Sequence, residues 1–401
     1  MRQTAFFTII GYIYKESKYE VALVDNKILK KVGKFNEGLS EKESKALLET
    51  LLSNKISDDK NYLEVPPGIC VELEYSGFKN EKIFDLKFLG FSLENTWHEC
   101  KWQQLLDNQK KLRQEITHPE KKLFIENEIT KNDYINYLQE IAQYMLPFLK
   151  NRLLTVIRYP HGLFGESFYQ KECPSYAPSY IETYKEGSIN YILCNSEEAL
   201  IWLGNQLAFE FHVPFETIHS KSYPSEIVFD LDPPSRDQFK QSIYAAKMLR
   251  EIFENLNLTS FVKTSGNKGM QVYIPLPEKS FTYKDVRVFT EFIANYLISL
   301  EPNLFTIERL KKNRSNRLYI DYVQHGKGKT IIAPFSIRGN KCGNVATPLY
   351  WEEVNDYLTP DLFTMNEVVS KIKDNGNPFQ EFFDNKNQQP FKKVQDFISN
   401  S

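Results

Sequence analysis

The sequence predicts an α+β fold in two parts: a β-rich first hundred residues, then a larger region mixing helices and strands. Three observations carry this. Of 401 residues 41% are apolar, with 29 Phe and 23 Tyr, enough to bury at least one large core. Aromatic and β-branched runs separated by polar turn pairs dominate the first part. In the second part, apolar stripes at helical spacing alternate with short strand-like runs.

Taken in order, residues 5–13, 19–24 and 28–32 read as strands, with Asp25-Asn26 as a turn. Ser40, with Glu43 three residues on, is a capping box, and Leu47, Leu51 and Leu52 give the following helix its apolar face. Residues 70–75 alternate apolar and polar as a half-buried strand does, and 82–91 suggest another. Three strands, a helix and two strands suggest a small closed barrel of the OB type over 1–104. The polar stretch 102–115 is a linker or exposed helix, with 105–115 taken as the linker.

A second domain is expected over 116–375. Thr130 caps a helix striped by Tyr134, Tyr137, Leu138, Ile141, Met145 and Leu146. Residues 195–208 form another helix, and 227–231 a buried strand. Ser235 caps a long helix with Phe239, Ile243, Ala246, Leu249, Phe253 and Leu256 on one face. Residues 260–264 and 270–276 are strands joined by a glycine-rich turn, and 281–300 are a helix. Residues 317–323 and 330–335 suggest a hairpin across Gly326-Lys327-Gly328-Lys329. Residues 376–401 are a polar, loosely held tail, and no internal repeat is visible.

The formal net charge of -2 does not announce a nucleic-acid binder, so any such surface must come from local clusters of Lys and Arg. Cys70, Cys100, Cys173, Cys194 and Cys342 are odd in number and contain no Cys-x-x-Cys pair, which speaks against a disulfide framework or structural zinc. Residues 1–13 do not make a signal peptide, and no apolar run reaches the ~18 residues that span a bilayer. A cytoplasmic, nucleoid-associated protein is expected, with no membrane partner.

The chemistry centres on Ile227-Val228-Phe229-Asp230-Leu231-Asp232-Pro233-Pro234. Side chains at i and i+2 of a strand share a face, so Asp230 and Asp232 point the same way, ~7 Å apart along the strand. Two such carboxylates resist joint ionisation unless a cation sits between them. One or two divalent metals would relieve the repulsion and serve phosphoryl transfer. Two solvated turn acids before prolines are the plain alternative. Asp321, inside the apolar run Leu318-Tyr319-Ile320-Asp321-Tyr322-Val323, is costly there unless paired or metal-bound. An edge position facing water, or a salt bridge, is the alternative. Thr264-Ser265-Gly266-Asn267-Lys268-Gly269 could bring N–H groups, a hydroxyl and an ammonium to a phosphate, though an ordinary hairpin turn has the same composition. Arg309, Lys311, Lys312, Arg314, Arg317, Lys327, Lys329, Arg338 and Lys341 cluster around Asp321, as suits a site where triphosphate and polynucleotide meet. His212, Phe168 and Tyr169, read alone, suit structural roles.

Together these pieces resemble the polymerase domain of bacterial ligase D, a member of the archaeo-eukaryotic primase superfamily. The resemblance runs over about 116–351. Its ordered blocks are Thr117-His118-Pro119-Glu120-Lys121, Thr130-Lys131-Asn132-Asp133, Arg158-Tyr159-Pro160-His161-Gly162, Phe168-Tyr169-Gln170-Lys171, the Asp-Leu-Asp strand, Lys263-Thr264-Ser265-Gly266, and Asp321 followed by Ala333-Pro334-Phe335-Ser336-Ile337-Arg338. The spacing of His212 before Asp230 also agrees.

The resemblance implies a primase-like domain built on an RRM-like sheet core. Asp230, Asp232 and Asp321 would be catalytic and hold two divalent ions, Mn2+ or Mg2+. His212, Ser265, Lys268, Gln271 and Arg338 would bind an incoming NTP or dNTP. His118, Lys121 and Lys131 would meet the 5′-phosphate at a break, and Arg158, Phe168 and Tyr169 the template. It implies gap filling at DNA ends with a preference for ribonucleotides, alongside Ku and a DNA ligase. One position departs: the family often has His where this chain has Gln271, which can donate a hydrogen bond but carries no charge. Residues 1–104 resemble, more weakly, the OB domain that ends an ATP-dependent ligase. No Lys-x-Asp-Gly tetrapeptide occurs, so the chain is expected neither to adenylate itself nor to seal nicks. Two rivals remain: a sugar-nucleotide transferase using Asp230-x-Asp232, and a non-catalytic module that binds or bridges DNA ends.

Overall fold

The computed structural model describes residues 3–79, 82–114, 116–124, 128–163 and 165–399. The chain divides into two compact units, Met1–Thr117 and His118–Ser401.

In the first unit, β1 (Gln3–Ile13), β2 (Lys18–Asp25) and β3 (Ile28–Phe35) form an antiparallel meander. The helix α1 (Glu41–Ser53) follows its expected cap: Ser40 Oγ accepts from Glu43 N at 3.3 Å, and the Glu43 carboxylate accepts from Ser40 N at 2.8 Å. Short strands β4 (Ser57–Asp58) and β5 (Tyr62–Glu64), which the sequence did not disclose, precede β6 (Cys70–Tyr75). The expected strand over 82–91 is two: β7 (Gly77–Lys79) pairs with β8 (Lys82–Phe84), and β9 (Lys87–Ser92) pairs with β6. Asp85, at φ 54°, turns the chain between β8 and β9. β6 also pairs with β1, and Glu37 just after β3 bridges Lys87 of β9 in parallel. The two ends of the β3-β2-β1-β6-β9 path thus meet around Phe7, Ile9, Val21, Leu51, Leu63 and Val71, all fully buried. Of the two readings of 102–115, linker or exposed helix, the structure has the helix, α2 (Gln103–Gln114), with Glu115 outside the described residues. It belongs to the first unit: Leu105 is buried, and Gln104 Oε1 accepts from Phe6 N at 3.1 Å.

The second unit opens with α3 (Lys131–Leu149), capped by Thr130 as expected, followed by β10 (Thr155–Arg158), β11 (Pro160–Leu163) and β12 (Phe168–Gln170). A hairpin, β13 (Thr183–Glu186) and β14 (Ile189–Ile192), leads to α4 (Glu197–Asn205) and β15 (Ala208–Pro214). Then come β16 (Glu226–Asp232), α5 (Phe239–Asn255), β17 (Phe261–Thr264), β18 (Met270–Pro275) and α6 (Tyr283–Leu300). The chain ends through β19 (Phe305–Thr306), β20 (Leu318–Asp321), β21 (Thr330–Ile332), β22 (Pro348–Leu349), α7 (Met365–Asn375) and α8 (Phe391–Ser399). Besides the two-stranded β13-β14 hairpin, the described strands form one sheet of four ordered β12-β10-β15-β21 and one of six ordered β19-β20-β16-β18-β17-β22.

Three expectations are corrected here. β20 and β21 are not a hairpin: β20 pairs with β16 in one sheet and β21 with β15 in the other, so this connection stitches the sheets together. Ser235 precedes a 3-10 turn, Arg236–Gln238, and makes no side-chain cap bond; α5 starts only at Phe239. The tail 376–401 is not loose in its described part, since Phe379, Phe382, Phe391 and Val394 are buried. The Phe379 and Phe382 rings lie 5.8 and 6.2 Å from Tyr273 on β18.

Strand alternation on β16 decides what faces where. Phe229 packs against Phe253 of α5 and Phe289 of α6, at 5.6 and 6.2 Å between ring centroids. Asp230 and Asp232 therefore lie on the opposite face, where both are half-buried. No helix among the described residues is long and apolar enough to cross a membrane.

Candidate active site

Register places the three acids. Asp230 of β16 is the direct cross-strand partner of Asp321 at the end of β20, and Asp232 is the partner of Tyr319. On the other side Asp230 faces Gln271 of β18, which in turn faces Lys263 of β17. Cross-strand partners point to one face, so Asp321, Asp230, Gln271 and Lys263 form one row across four strands.

Each acid is held by a different set of groups. Gln271 Nε2 donates to Asp230 Oδ1 at 3.0 Å. Burial, together with the charges of Asp321 and Asp232, pushes the Asp230 carboxyl up to about 6 despite that bond and the opposing charge of Lys263. Asp232 bridges two cations, Lys268 Nζ to Oδ1 at 2.8 Å and Arg314 Nη1 to Oδ2 at 3.0 Å. Asp321 Oδ1 accepts from Tyr319 Oη at 3.0 Å and from Gln324 N at 2.8 Å. With the acids so engaged, no three His, Cys, Asp or Glu side chains among the described residues are grouped closely enough to hold a metal ion.

Beside the acids lies a cavity of about 200 Å³. Asp230 and Asp232 line it together with all five residues expected to bind nucleotide: His212, Ser265, Lys268, Gln271 and Arg338. Ser265, Asn267 and Gly269 come from the β17–β18 turn, where Ser265 Oγ accepts from Asn267 N at 3.3 Å and from Gly269 N at 3.1 Å. Gly266 has φ +70°, and a Cβ there would meet Arg338 Cγ at 2.6 Å and Ala346 N at 2.8 Å, so the turn needs glycine.

Sequence reasoning missed Glu210. It sits two residues before His212 on β15, 5% exposed. Its Oε2 accepts from His212 Nε2 at 3.0 Å and pairs with Arg338 Nη1 at 3.2 Å. Its Oε1 accepts from Gly339 N at 2.9 Å and Tyr159 Oη at 3.1 Å. Burial alone would raise this carboxyl; the bond from His212, the charge of Arg338 and the Gly339 N–H outweigh it and bring it down to about 2. The i, i+2 spacing to His212 is the signal that could have found it. Also missed was Lys263, fully buried, whose Nζ donates to Thr264 O at 3.2 Å. Burial holds its amine well below the usual lysine range.

The residues expected at DNA group in two other places. Lys131 begins α3, and its N–H donates to Lys121 O at 2.8 Å, while Lys121 N donates to His118 O at 3.1 Å. These bonds bring His118, Lys121 and Lys131 close together, but the first N–H groups of α3 are already used, Asn132 N by Pro119 O at 2.9 Å and Asp133 N by Thr130 Oγ1 at 3.2 Å, so an anion there would be met by side chains. Burial and the charge of Lys121 bring Lys131 down to about 8. Elsewhere Arg158 of β10 is the register partner of Phe168 on β12, its guanidinium 5.3 Å from the Phe168 ring centroid. Phe168 is 45% and Tyr169 72% exposed, too open for core residues and fit for stacking a base.

Carboxylate oxygens are the ligands hard divalent cations take, so the three acids have the right chemistry, although their side chains are not gathered into a three-ligand site.

A family model for the LigD primase-polymerase domain matches residues 130–379. The chain is 42% identical over 392 residues to the bifunctional non-homologous end joining protein LigD of Bacillus subtilis, covering 97% of this chain and 64% of that one. It is 33% identical over 274 residues to the multifunctional non-homologous end joining protein LigD of Mycolicibacterium smegmatis, covering 66% of this chain and 35% of that one. The chain thus spans less than two thirds of the length of either relative. Among solved structures, the polymerase domain from Mycobacterium tuberculosis ligase D in complex with DNA matches with a TM-score of 0.62 at 29% identity, covering 69% of this chain and 98% of that one. The mixed α/β fold is that of the LigD polymerase domain, a nucleotidyltransferase-type enzyme, and the chain belongs to the LigD primase-polymerase family.

Proposed function

We propose that this chain extends a DNA 3′-hydroxyl by templated nucleotidyl transfer, filling short gaps at double-strand breaks during non-homologous end joining. The observation that carries this reading is the register pair Asp230–Asp321, with Asp232 on the same face and a polar, cation-lined cavity beside it. Asp230, Asp232 and Asp321 would hold two divalent ions, Mn2+ or Mg2+. Such ions, when bound, lower the pKa of the attacking hydroxyl and neutralise the triphosphate and leaving pyrophosphate.

The protein's own contribution is positioning and charge. Arg338, His212 and Lys268 would hold the triphosphate of an NTP or dNTP, with Glu210 fixing the first two. Lys268 and Arg314 pair with Asp232, the carboxylate that would also help hold the ions. His118, Lys121 and Lys131 would hold the 5′-phosphate of the break, and Arg158, Phe168 and Tyr169 the template strand. We infer further that the first unit is of the OB type, that ribonucleotides are preferred, and that Ku and a separate ligase activity are partners.

Asp232 being already neutralised by two cations is the one observation that favours a second reading, a non-catalytic module bridging DNA ends. Primer extension on a 5′-phosphorylated gap, with Mn2+ and ribonucleotides, separates the two. The polymerase reading expects pyrophosphate release that vanishes in Asp230→Ala/Asp232→Ala while the DNA stays bound. Wild-type binding without extension would sink it.

A further inference from the structure

A cavity of about 640 Å³ lies in the first unit, and the polymerase reading gives it no role. Its walls are the β2–β3 turn and the segment running into α2. The two-residue loop Asn26-Lys27 has both residues left-handed, at φ 48° and 66°. Such hairpin loops favour Asn followed by Gly. Lysine in the second position costs backbone energy that glycine would avoid, and strain of this kind concentrates at functional positions.

The opposite wall is built before any ligand arrives. Val24 N donates to Cys100 O at 2.7 Å and Trp102 N donates to Val24 O at 2.9 Å, fastening the segment to β2. Trp97 lies against His98, centroids 3.6 Å apart and planes 28° apart. Trp102 meets Phe78 edge-on at 5.1 Å. Both tryptophans are half-buried, so each offers indole surface to the cavity. The charge at the rim is positive. Asp25 is taken by Lys30 at 3.0 Å, whereas Lys27 and Lys101, both exposed, form no salt bridge among the described residues; His98 is exposed beside them, and Glu99, which caps Thr96, is near enough to feel the charges of Lys101 and His98.

We propose that this cavity binds unpaired nucleotides of single-stranded DNA, a base stacking on Trp97 or Trp102 and its flanking phosphates meeting Lys27 and Lys101. Indole faces accept any base, and the cations supply the backbone attraction, the pairing of features that sequence-tolerant single-strand sites use. A duplex would not do, because its base faces are already covered by neighbours in the stack. The site is separate from the polymerase reading and does not depend on it.

The test is photocrosslinking of the full chain to an oligothymidylate carrying 5-iodouracil and a 5′-hydroxyl end, followed by peptide mapping. Crosslinks are expected on Trp97 or Trp102, falling at least tenfold in Lys27→Glu/Lys101→Glu while primer extension keeps its wild-type rate. Both lysines are exposed, so this variant is expected to fold. Trp97→Phe should retain most of the Trp102 crosslink, and Trp97→Ala should lose it. Crosslinks confined to other residues, or undiminished in the double lysine variant, would overturn the proposal. So would suppression by ATP as strong, nucleotide for nucleotide, as by unmodified oligothymidylate, which would assign the cavity to free nucleotides.

Discussion

Arg338 Nη1 meets Glu210 Oε2 at 3.2 Å, and that same oxygen accepts from His212. A single buried carboxylate thus aims two of the side chains that line the cavity. An ionised carboxylate offers about four acceptor positions, and the four donors around Glu210 fill them. In Glu210→Gln one acceptor becomes an N–H facing other donors. The expected result is a KM for nucleotide raised roughly 10- to 100-fold, in line with the ~1–3 kcal/mol cost of unsatisfied buried groups. Affinity for 5′-phosphorylated DNA should move little, while the melting temperature should fall by several degrees, because the same unsatisfied group is buried in the folded state. Steady-state kinetics with varied nucleotide checks this, and an unchanged KM contradicts it.

Gln271 donates to Asp230 without adding charge. Gln271→His keeps a donor and gains a cation when protonated. The KM for nucleotide is therefore expected to fall several-fold at pH 6, and by less at pH 8, where imidazole is neutral. A variant whose KM is unchanged at both pH values would show that this position does not meet the triphosphate.

If Lys131, brought down to about 8, meets the 5′-phosphate as proposed, end recognition is expected to depend on pH. Below that value the amine is charged and attracts phosphate; above it the charge is lost. A terminal phosphate, with its second pKa near ~6, stays dianionic throughout. The preference for a 5′-phosphate over a 5′-hydroxyl end should therefore shrink between pH 7 and 9, with a midpoint moved somewhat upward because phosphate favours the charged lysine. Equilibrium binding of the two ends at several pH values measures this, and Lys131→Ala should flatten the curve.

His325 governs part of the acid stability. It is buried, its Nε2 donates to Glu226 O at 2.8 Å, and its Nδ1 has no hydrogen-bond partner. Burial holds it at about 4, so the folded state keeps it neutral. An unfolded histidine, near ~6.5, binds a proton first, so stability is present above that pH and is lost as pH falls towards 4. The loss from this group should approach about 3 kcal/mol at most. Urea unfolding of wild type against His325→Gln, from pH 7 to 4, should show a flatter profile in the variant.

The site was more legible in the sequence than the connections around it. Asp230 and Asp232 declared a shared face through the period of a strand, and Asp321 was conspicuous as the sole charge in an apolar run. Their convergence needed the register of β16 on β20, which no local pattern encodes. The hairpin expected across Gly326–Lys329 failed for a related reason. Gln324 caps Asp321 through its N–H and reaches Thr330 O at 2.7 Å, so the loop changes sheets rather than turning back. The tail looked loose because its polar residues outnumber its few Phe, yet Phe379 and Phe382 pack on Tyr273 of a distant strand. Glu210 stayed hidden because a buried charge is stabilised by partners distant in sequence, here Tyr159, Arg338 and Gly339.

The most direct test of the acid row is primer extension by Asp321→Ala beside Asp230→Ala, on a 5′-phosphorylated gap with Mn2+. Asp321 lies far from Asp230 in sequence and opposite it in the sheet. Both variants should bind the gap like wild type and lose extension by at least roughly 1,000-fold, the ~4 kcal/mol of transition-state stabilisation expected of a group that holds metal. Extension by Asp321→Ala at the wild-type rate would contradict the account.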